Sequence, residues 1–365
     1  MKIFYIVNIR LPTEKAHGIQ IMKTCEALAA AGAEVELVVP TRRTPIRDDP
    51  YGYYGVARTF TTRKVWCPDL TRLGRLGFVL SAVWFAEAAH FRRAFWRADV
   101  VYSRDAFVLA QYVLLGRRLV YEAHTRPTAI TRFVARRAAQ VVAITRGLKD
   151  AYVAAGVPES RITVAPDAVD VNAFAQPEPQ ASSRARLGLP LDKKIALYVG
   201  RLDGWKGVDT LLEASRFLPP SVLVVVIGGE PGQVAALSAQ YPNVRFLGYR
   251  PYRELPDNQA AADALVLPNT GKQVDALRFT SPLKLFAYMT SGVPIITSDT
   301  PAVREVLTEA DAYFFTPDDP VALARAIEVA LTNPSEAHAR AVRAQEAVIA
   351  YTWEQRSARI LESLS

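Results

Sequence analysis

Two cysteines, four histidines and three methionines in 365 residues leave little material for chemistry that runs on thiolates or clustered imidazoles. Cys25 and Cys67 are too few and too far apart for a disulfide framework or a thiolate metal site, and they read as small hydrophobes in a reducing compartment. No carboxylate or Cys/His cluster has metal-ligand spacing. Long hydrophobic runs are missing as well. None reaches the roughly 18–20 apolar residues that span a bilayer, and the apolar opening MKIFYIVNI ends without a small-residue cleavage site, so it reads as a first buried strand. The expected location is cytoplasmic, either free or peripheral at the cytoplasmic face of a membrane. The glycines form neither a dinucleotide fingerprint nor a phosphate loop, which argues against a nicotinamide enzyme or a P-loop ATPase. Acid is scarce in the first half: residues 1–170 carry 25 Lys plus Arg against 15 Asp plus Glu, a net of +10, while residues 171–365 carry 19 against 21, a net of −2. A basic half attracts nucleic acid, an anionic membrane or an anionic small molecule.

What is present is a repeated α/β rhythm. With 50% hydrophobic residues in 40.2 kDa, two domains of ordinary size are expected. Short β-branched runs at 2–8, 34–40, 99–102, 118–121, 141–144 and 162–165 alternate with helical patterns such as GIQIMKTCEALAAAG, where Ile21, Cys25, Leu28 and Ala29 recur near the helical period. That is the pattern of a parallel sheet covered by helices. The turn-rich stretch 167–190, with prolines at 177, 179 and 190, predicts a domain boundary. The alternation then restarts with KIALYVG, VLVVVIGG, VRFLG, ALVLPN, VPIITSD and AYFF. A last helix around 341–363 shows an apolar seam through Val348, Trp353, Ala358 and Leu361.

Residues 65–98 differ from the rest. They interleave Arg72, Arg75, Arg92, Arg93 and Arg97 with Leu73, Leu76, Phe78, Trp84, Phe91, Phe95 and Trp96. Two readings stand: a basic amphipathic surface for a membrane interface, or ordinary α/β-layer helices with a solvated basic edge.

Ligands of open α/β sheets bind beyond the carboxyl ends of the strands, which selects the residues just after each run. His17 and Gly18 follow the first strand at a helix start. Glu122, His124 and Arg126 follow RRLVY. Arg201 and Lys206 lie in LYVGRLDGWKG, where two cations suit a diphosphate. In RFTSPLKLFAYMTSGVP, Ser281 is a candidate N-cap with Pro282 at the first helical position. The free amides of Leu283 and Lys284 would then stand at the positive end of a helix, where phosphate oxygens bind.

Together HGIQIMKTCEALAAAGAEVELVVP, YEAHTRP, VVAITRGLKDAYVAAGVPESRITVAPDAVD, LYVGRLDGWKGVDTLLEA, VRFLGYRPYRELPDNQAAADALVLPNT and TSPLKLFAYMTSGVPIITSDTPAVREVL resemble glycosyltransferase family 4 (group 1), retaining nucleotide-sugar enzymes of the GT-B fold. The resemblance covers nearly the whole chain. It implies an α/β fold of two Rossmann-like domains facing across a cleft: an acceptor domain at 1–172 and a donor domain at 190–349, with a C-terminal helix at about 350–365 packing back on the first. It also implies independence from a divalent metal, no resident cofactor, and hexose transfer from a nucleotide sugar to a saccharide acceptor. The basic and aromatic residues of 65–98 favour a lipid-linked saccharide in cell-envelope or exopolysaccharide assembly, while a soluble anionic acceptor fits the +10 half equally well.

Residue by residue, the resemblance places Arg201 and Lys206 on the donor diphosphate and His124 near the reacting sugar, these three being the catalytic set. Gly18 falls near the donor phosphates and sugar, Ser281 to Lys284 under the diphosphate, and Tyr249 and Arg250 around the base. His17, Glu122 and Arg126 are assigned to the acceptor, and Glu305 to structure. One departure stands out. The family commonly carries two glutamates with seven residues between them, at the positions held here by Phe279 and Ala287; Asp275 lies nearby at a different spacing. That departure motivates a second reading, a weak or inactive GT-B scaffold. A nucleic-acid module has only the basic half in its favour and no binding motif.

Overall fold

The computed structural model describes the backbone of all 365 residues and every side chain except those of Thr71 and Trp205. The chain forms two compact units, 1–167 with 353–365, and 168–352.

The first unit holds seven strands: β1 (Lys2–Ile6), β2 (Glu34–Pro40), β3 (Thr61–Val65), β4 (Val100–Ser103), β5 (Leu119–Ala123), β6 (Gln140–Ala143) and β7 (Ile162–Val164). They lie in the order β3-β2-β1-β4-β5-β6-β7 and every pairing is parallel. β1, β2 and β4–β6 read as nearly unbroken apolar runs because helices cover both faces. β3, absent from the pattern-based reading, is the edge strand TTRKV, whose solvent-facing Thr and Arg dilute its apolar signal. The order reverses between β1 and β4, which creates a crevice at the carboxyl ends of the strands where ligands bind in such sheets.

The second unit repeats the scheme with β8 (Lys194–Val199), β9 (Val222–Ile227), β10 (Val244–Phe246), β11 (Ala264–Leu267), β12 (Ile295–Ser298) and β13 (Tyr313–Phe315), in the all-parallel order β10-β9-β8-β11-β12-β13. Its reversal falls between β8 and β11. Apolar layers on the two sheet faces, one around Leu197, Leu265 and Phe286 and the other around Tyr198, Leu211 and Ile327, form its core.

The structure refines one expectation about chain organisation and corrects another. The boundary expected within 167–190 falls at its start, between Asp167 and Ala168, so the proline-bearing stretch 168–189 belongs to the second unit, where Phe174, Leu187 and Leu189 are buried in the core. The last helix is not continuous. Helix Pro334–Val348 belongs to the second unit and ends in a 3-10 turn at Ile349–Tyr351; helix Trp353–Glu362 then packs in the first unit. Its buried face is Trp353, Arg356, Ser357 and Ile360, so Ala358 lies outside and the expected seam is displaced around the helix. An arginine inside that face hides it from a hydrophobic-pattern search.

In the segment 65–98, Phe95 is core and Arg92 pairs with Glu36 at 3.1 Å. Helix Gly74–His90 buries Ala82, Phe85, Ala86 and Ala89 but turns a second apolar face outward: Leu76 is 77% exposed and Trp84 50%, with Trp66 at 64% and Phe91 at 77% beside it. Among the described residues no helix is long and apolar enough to cross a membrane.

Candidate functional site

In the first unit the reversal between β1 and β4 is filled by a polar hub around Glu122, the fourth residue of β5. Its carboxylate is fully buried. Gln20 Nε2 donates to Oε1 at 2.6 Å, His124 Nε2 lies 2.5 Å from Oε1, Arg356 Nη2 sits at 3.1 Å, and the Tyr102 hydroxyl donates to Oε2. Burial alone would push the Glu122 carboxyl up; Arg356, His124 and Arg104 override it and hold the group well below the usual carboxylate range. Glu122 was expected to touch an acceptor. Enclosed by four partners, it has no accessible oxygen to offer and instead orients His124 and ties in the C-terminal helix.

His124 is lowered to about 4 by burial and by Arg104, against the opposing pull of Glu122. It is therefore neutral at pH 7. With a carboxylate at Nε2, the proton belongs on that nitrogen, leaving Nδ1 as a hydrogen-bond acceptor. His17, at the start of helix Ala16–Ala30, is likewise lowered to about 4 by burial and Arg104. Arg104, which follows β4 and donates to Gln20 Oε1 at 2.7 Å, is a site residue that sequence reasoning missed. Its position after a strand was the available signal. Arg126 is exposed on the loop after β5.

Gly18 lies inside the same helix, and its lack of a side chain has a packing cause: a methyl there would come within 2.1 Å of the Tyr54 hydroxyl. That hydroxyl accepts from Thr13 N at 2.7 Å and donates to Thr13 O at 2.8 Å, fixing the loop that leads to His17.

In the second unit the loops after β8, β9 and β10 converge through glycines. A methyl at Gly228 would stand 1.9 Å from Gly200 O, and Gly228 N donates to Gly248 O at 2.8 Å. Tyr249 and Arg250 follow Gly248 directly, so the same contact gathers them with the Arg201 loop. That loop is pinned: Tyr198 OH donates to Arg201 O at 2.7 Å, and Val199 N donates to Tyr288 OH at 2.9 Å. Arg201 reaches Asp203 at 2.7 Å.

Lys284 enters this convergence with a buried Nζ that has no hydrogen-bond partner among the described residues. Nζ lies 4.1 Å from the centroid of the Tyr198 ring, and burial together with neighbouring Lys206 holds its pKa well below the lysine range. The helix itself is Leu283–Thr290, with Pro282 as N-cap and no side-chain cap bond. Ser281 is thus not the N-cap that was expected, and Pro282 is not the first helical residue. Ala287, where the resemblance would have a glutamate, is buried in the core, as is Phe279. Asp275 is exposed in helix Val274–Arg278, and Glu305 closes the end of helix Pro301–Arg304. Among the described residues no three His, Cys, Asp or Glu side chains gather as metal ligands.

Both units have counterparts among known proteins. Residues 18–173 match the family described as Glycosyltransferase Family 4, and residues 179–347 match Glycosyl transferases group 1. A D-inositol 3-phosphate glycosyltransferase of Xylanimonas cellulosilytica is 25% identical over 73% of the chain and 66% of its own length. The chain spans about half to two thirds of the length of the first such curated relatives. A putative teichuronic acid biosynthesis glycosyltransferase of Bacillus subtilis is 31% identical over 45% of the chain and 40% of its own length. Among solved structures, Anabaena HepE in complex with UDP and glucose superposes with a TM-score of 0.78 over 100% of this chain and 99% of its own, at 18% identity, a likeness of fold.

Proposed function

Because the chain belongs to the family 4, group 1 glycosyltransferases, we propose that it transfers a hexose from a nucleoside diphosphate sugar to an acceptor hydroxyl with retention at the anomeric carbon, in cell-envelope or exopolysaccharide assembly. The observation that carries the donor half is the unpartnered Lys284 ammonium beside Lys206, at the glycine-lined convergence of the β8, β9 and β10 loops. A buried cation without a counter-charge is costly unless an anion completes it. A diphosphate supplies that anion, and Tyr249 and Arg250 are assigned to the base.

In this mechanism the bond from the anomeric carbon to the diphosphate oxygen breaks and a bond to the acceptor oxygen forms on the same face. The acceptor proton passes to the leaving phosphate oxygen, so no enzymic nucleophile is required. Arg201, Lys206 and Lys284 stabilise the charge that builds on the leaving group, a contribution larger in the transition state than before it. In the first unit, neutral His124 orients the reacting hydroxyl through Nδ1, with His17 and Arg126 assigned to the acceptor. The teichuronic acid relative supports the envelope setting.

Calorimetry with UDP, GDP, ADP and CMP tests the donor site. One diphosphate nucleotide is expected to bind, and Lys206→Ala to weaken it about 10- to 100-fold, the scale of a charge-assisted contact of about 1.5–3 kcal/mol. Absence of binding by all four favours the second reading, a catalytically silent scaffold, which Phe279 and Ala287 motivate.

The exposed apolar face of helix Gly74–His90, flanked by Arg72, Arg75, Arg93 and Arg97, supports peripheral attachment to an anionic membrane. Flotation with anionic vesicles is expected to carry the wild type at low salt and to lose Trp84→Ser/Phe91→Ser. Equal flotation of both proteins would discard that face as the contact.

A further inference from the structure

Beyond the carboxyl ends of β1, β2 and β3 the first unit has an open cavity of about 790 Å³ that neither the His124 site nor the donor site uses. Each strand contributes to its wall: Arg10 follows β1, Arg42 and Arg43 follow β2, and Trp66 follows β3, while Arg72 and Phe78 close the side. Asp69 is the sole carboxylate in the lining. Four guanidiniums against one acid make the cavity strongly cationic.

Arg42 is the decisive residue. Its Nε and Nη2 are buried and have no hydrogen-bond partner among the described residues, and the Phe78 ring, 5.6 Å away, has only a face to offer. A guanidinium presents paired donors in a planar fork that matches two phosphate oxygens. Leaving two such donors unpaired inside the fold is unfavourable unless an anion completes them.

The wall is built rather than loose. Thr41 N donates to Val65 O at 2.9 Å, Cys67 N to Thr41 Oγ1 at 3.2 Å, and Thr44 Oγ1 to Pro12 O at 2.9 Å, joining the three strand-end loops. Ser81 locks the adjoining helix by donating to Pro68 O at 2.9 Å and accepting from Leu70 N at 3.1 Å. The rim residue Trp66 stands edge-on to Trp84 at 5.5 Å, so the cavity opens onto the outward apolar face.

We propose that this cavity is an anion site for the phosphate or diphosphate group of the acceptor, with Arg42 as its fork and the surrounding arginines as its field. The word acceptor rests on the transferase reading; the anion site does not. Both a soluble sugar phosphate and a lipid-linked sugar diphosphate carry the chemistry that it recognises.

The test uses the full chain and inorganic pyrophosphate in calorimetric titrations. Wild type is expected to show two sites, Lys206→Ala only the Arg42 site, and Arg42→Gln only the donor site. The exposed-rim variant Arg72→Gln, which leaves the buried wall intact, is expected to weaken the first-unit site about tenfold, and wild-type thermal unfolding of both arginine variants shows that they fold.

Hexose 1-phosphate and phosphatidylcholine vesicles doped with an isoprenyl diphosphate then separate the sources. Arg42-dependent binding of the first identifies a soluble acceptor, and Arg42-dependent binding of the second alone identifies a lipid-linked one. Pyrophosphate binding to Lys206→Ala that Arg42→Gln leaves unchanged overturns the proposal, as does the absence of Arg42-dependent binding of either acceptor mimic. Failure of every nucleotide to bind, with the Arg42 site intact, overturns the transferase reading instead.

Discussion

Glu122→Ala is expected to destabilise the first unit by about 3–5 kcal/mol, the cost of stripping one partner from a buried ion pair. That is a large share of the roughly 5–15 kcal/mol that holds a typical domain together. Arg356 is only 3% exposed, and besides Glu122 it reaches Thr24 Oγ1 at 3.1 Å and Pro166 O at 3.0 Å. Without that carboxylate its charge stays buried with Asp167 as the remaining acidic neighbour. Arg356 lies on helix Trp353–Glu362, so the loss should appear there first. Hydrogen exchange over residues 353–365 is expected to accelerate in the variant before the rest of the first unit opens.

Pairing the change with Arg356→Met removes the orphaned charge, and most of the lost stability is expected to return in urea titrations. A double variant no more stable than Glu122→Ala would show that the pair is not what holds the helix.

The pH dependence has a definite sign. The folded carboxyl is depressed below its unfolded value of about 4.3, so the unfolded chain binds more protons in that window. The contribution of Glu122 is therefore present above the unfolded value and is lost as pH falls through the folded one. Glu122→Gln should flatten the acid limb of the stability profile.

The two sheets were legible because a parallel sheet covered on both sides needs continuous β-branched runs, and such runs are hard to mistake. β3 escaped for the converse reason, its edge position leaving Thr61 and Arg63 to solvent. Prolines between 177 and 190 mark turns, yet turns say nothing about whether Leu187 and Leu189 between them are buried. Strand ends located Glu122, His124, Arg201 and Lys206 as candidates. What local sequence does not carry is the partner list. Glu122 and His124 look alike as post-strand polar residues until Arg356 arrives from the far end of the chain and makes one a hub and the other a neutral imidazole. Arg42 and Arg43 are adjacent and chemically identical; the fold half-buries one and exposes the other.

Lys284→Met is expected to stabilise the unliganded protein while weakening nucleoside diphosphate binding. The lysine stem is partly exposed, whereas its ammonium is buried without a partner over the Tyr198 ring. A buried unsatisfied group costs about 1–3 kcal/mol. Methionine keeps the length of the stem and places a thioether against the ring, so the melting temperature should rise by about 2–4 °C per kcal/mol recovered.

The wild-type folded lysine is depressed below its unfolded value of about 10.4. Between the two values the unfolded chain binds more protons, so stability should rise with pH across that window in the wild type and lose this component in Lys284→Met. A diphosphate reverses the balance, because its charge favours the protonated lysine. UDP titrations in buffers of different ionisation enthalpy should therefore register proton uptake by the wild type, and that uptake should vanish in the variant. If Lys284→Met binds UDP as tightly as the wild type with the same proton count, the ammonium does not face the diphosphate. If instead binding falls while thermal stability rises and the proton uptake vanishes, the donor site holds a buried lysine that the empty fold is better without, kept because an anion draws a proton onto it and completes the pair.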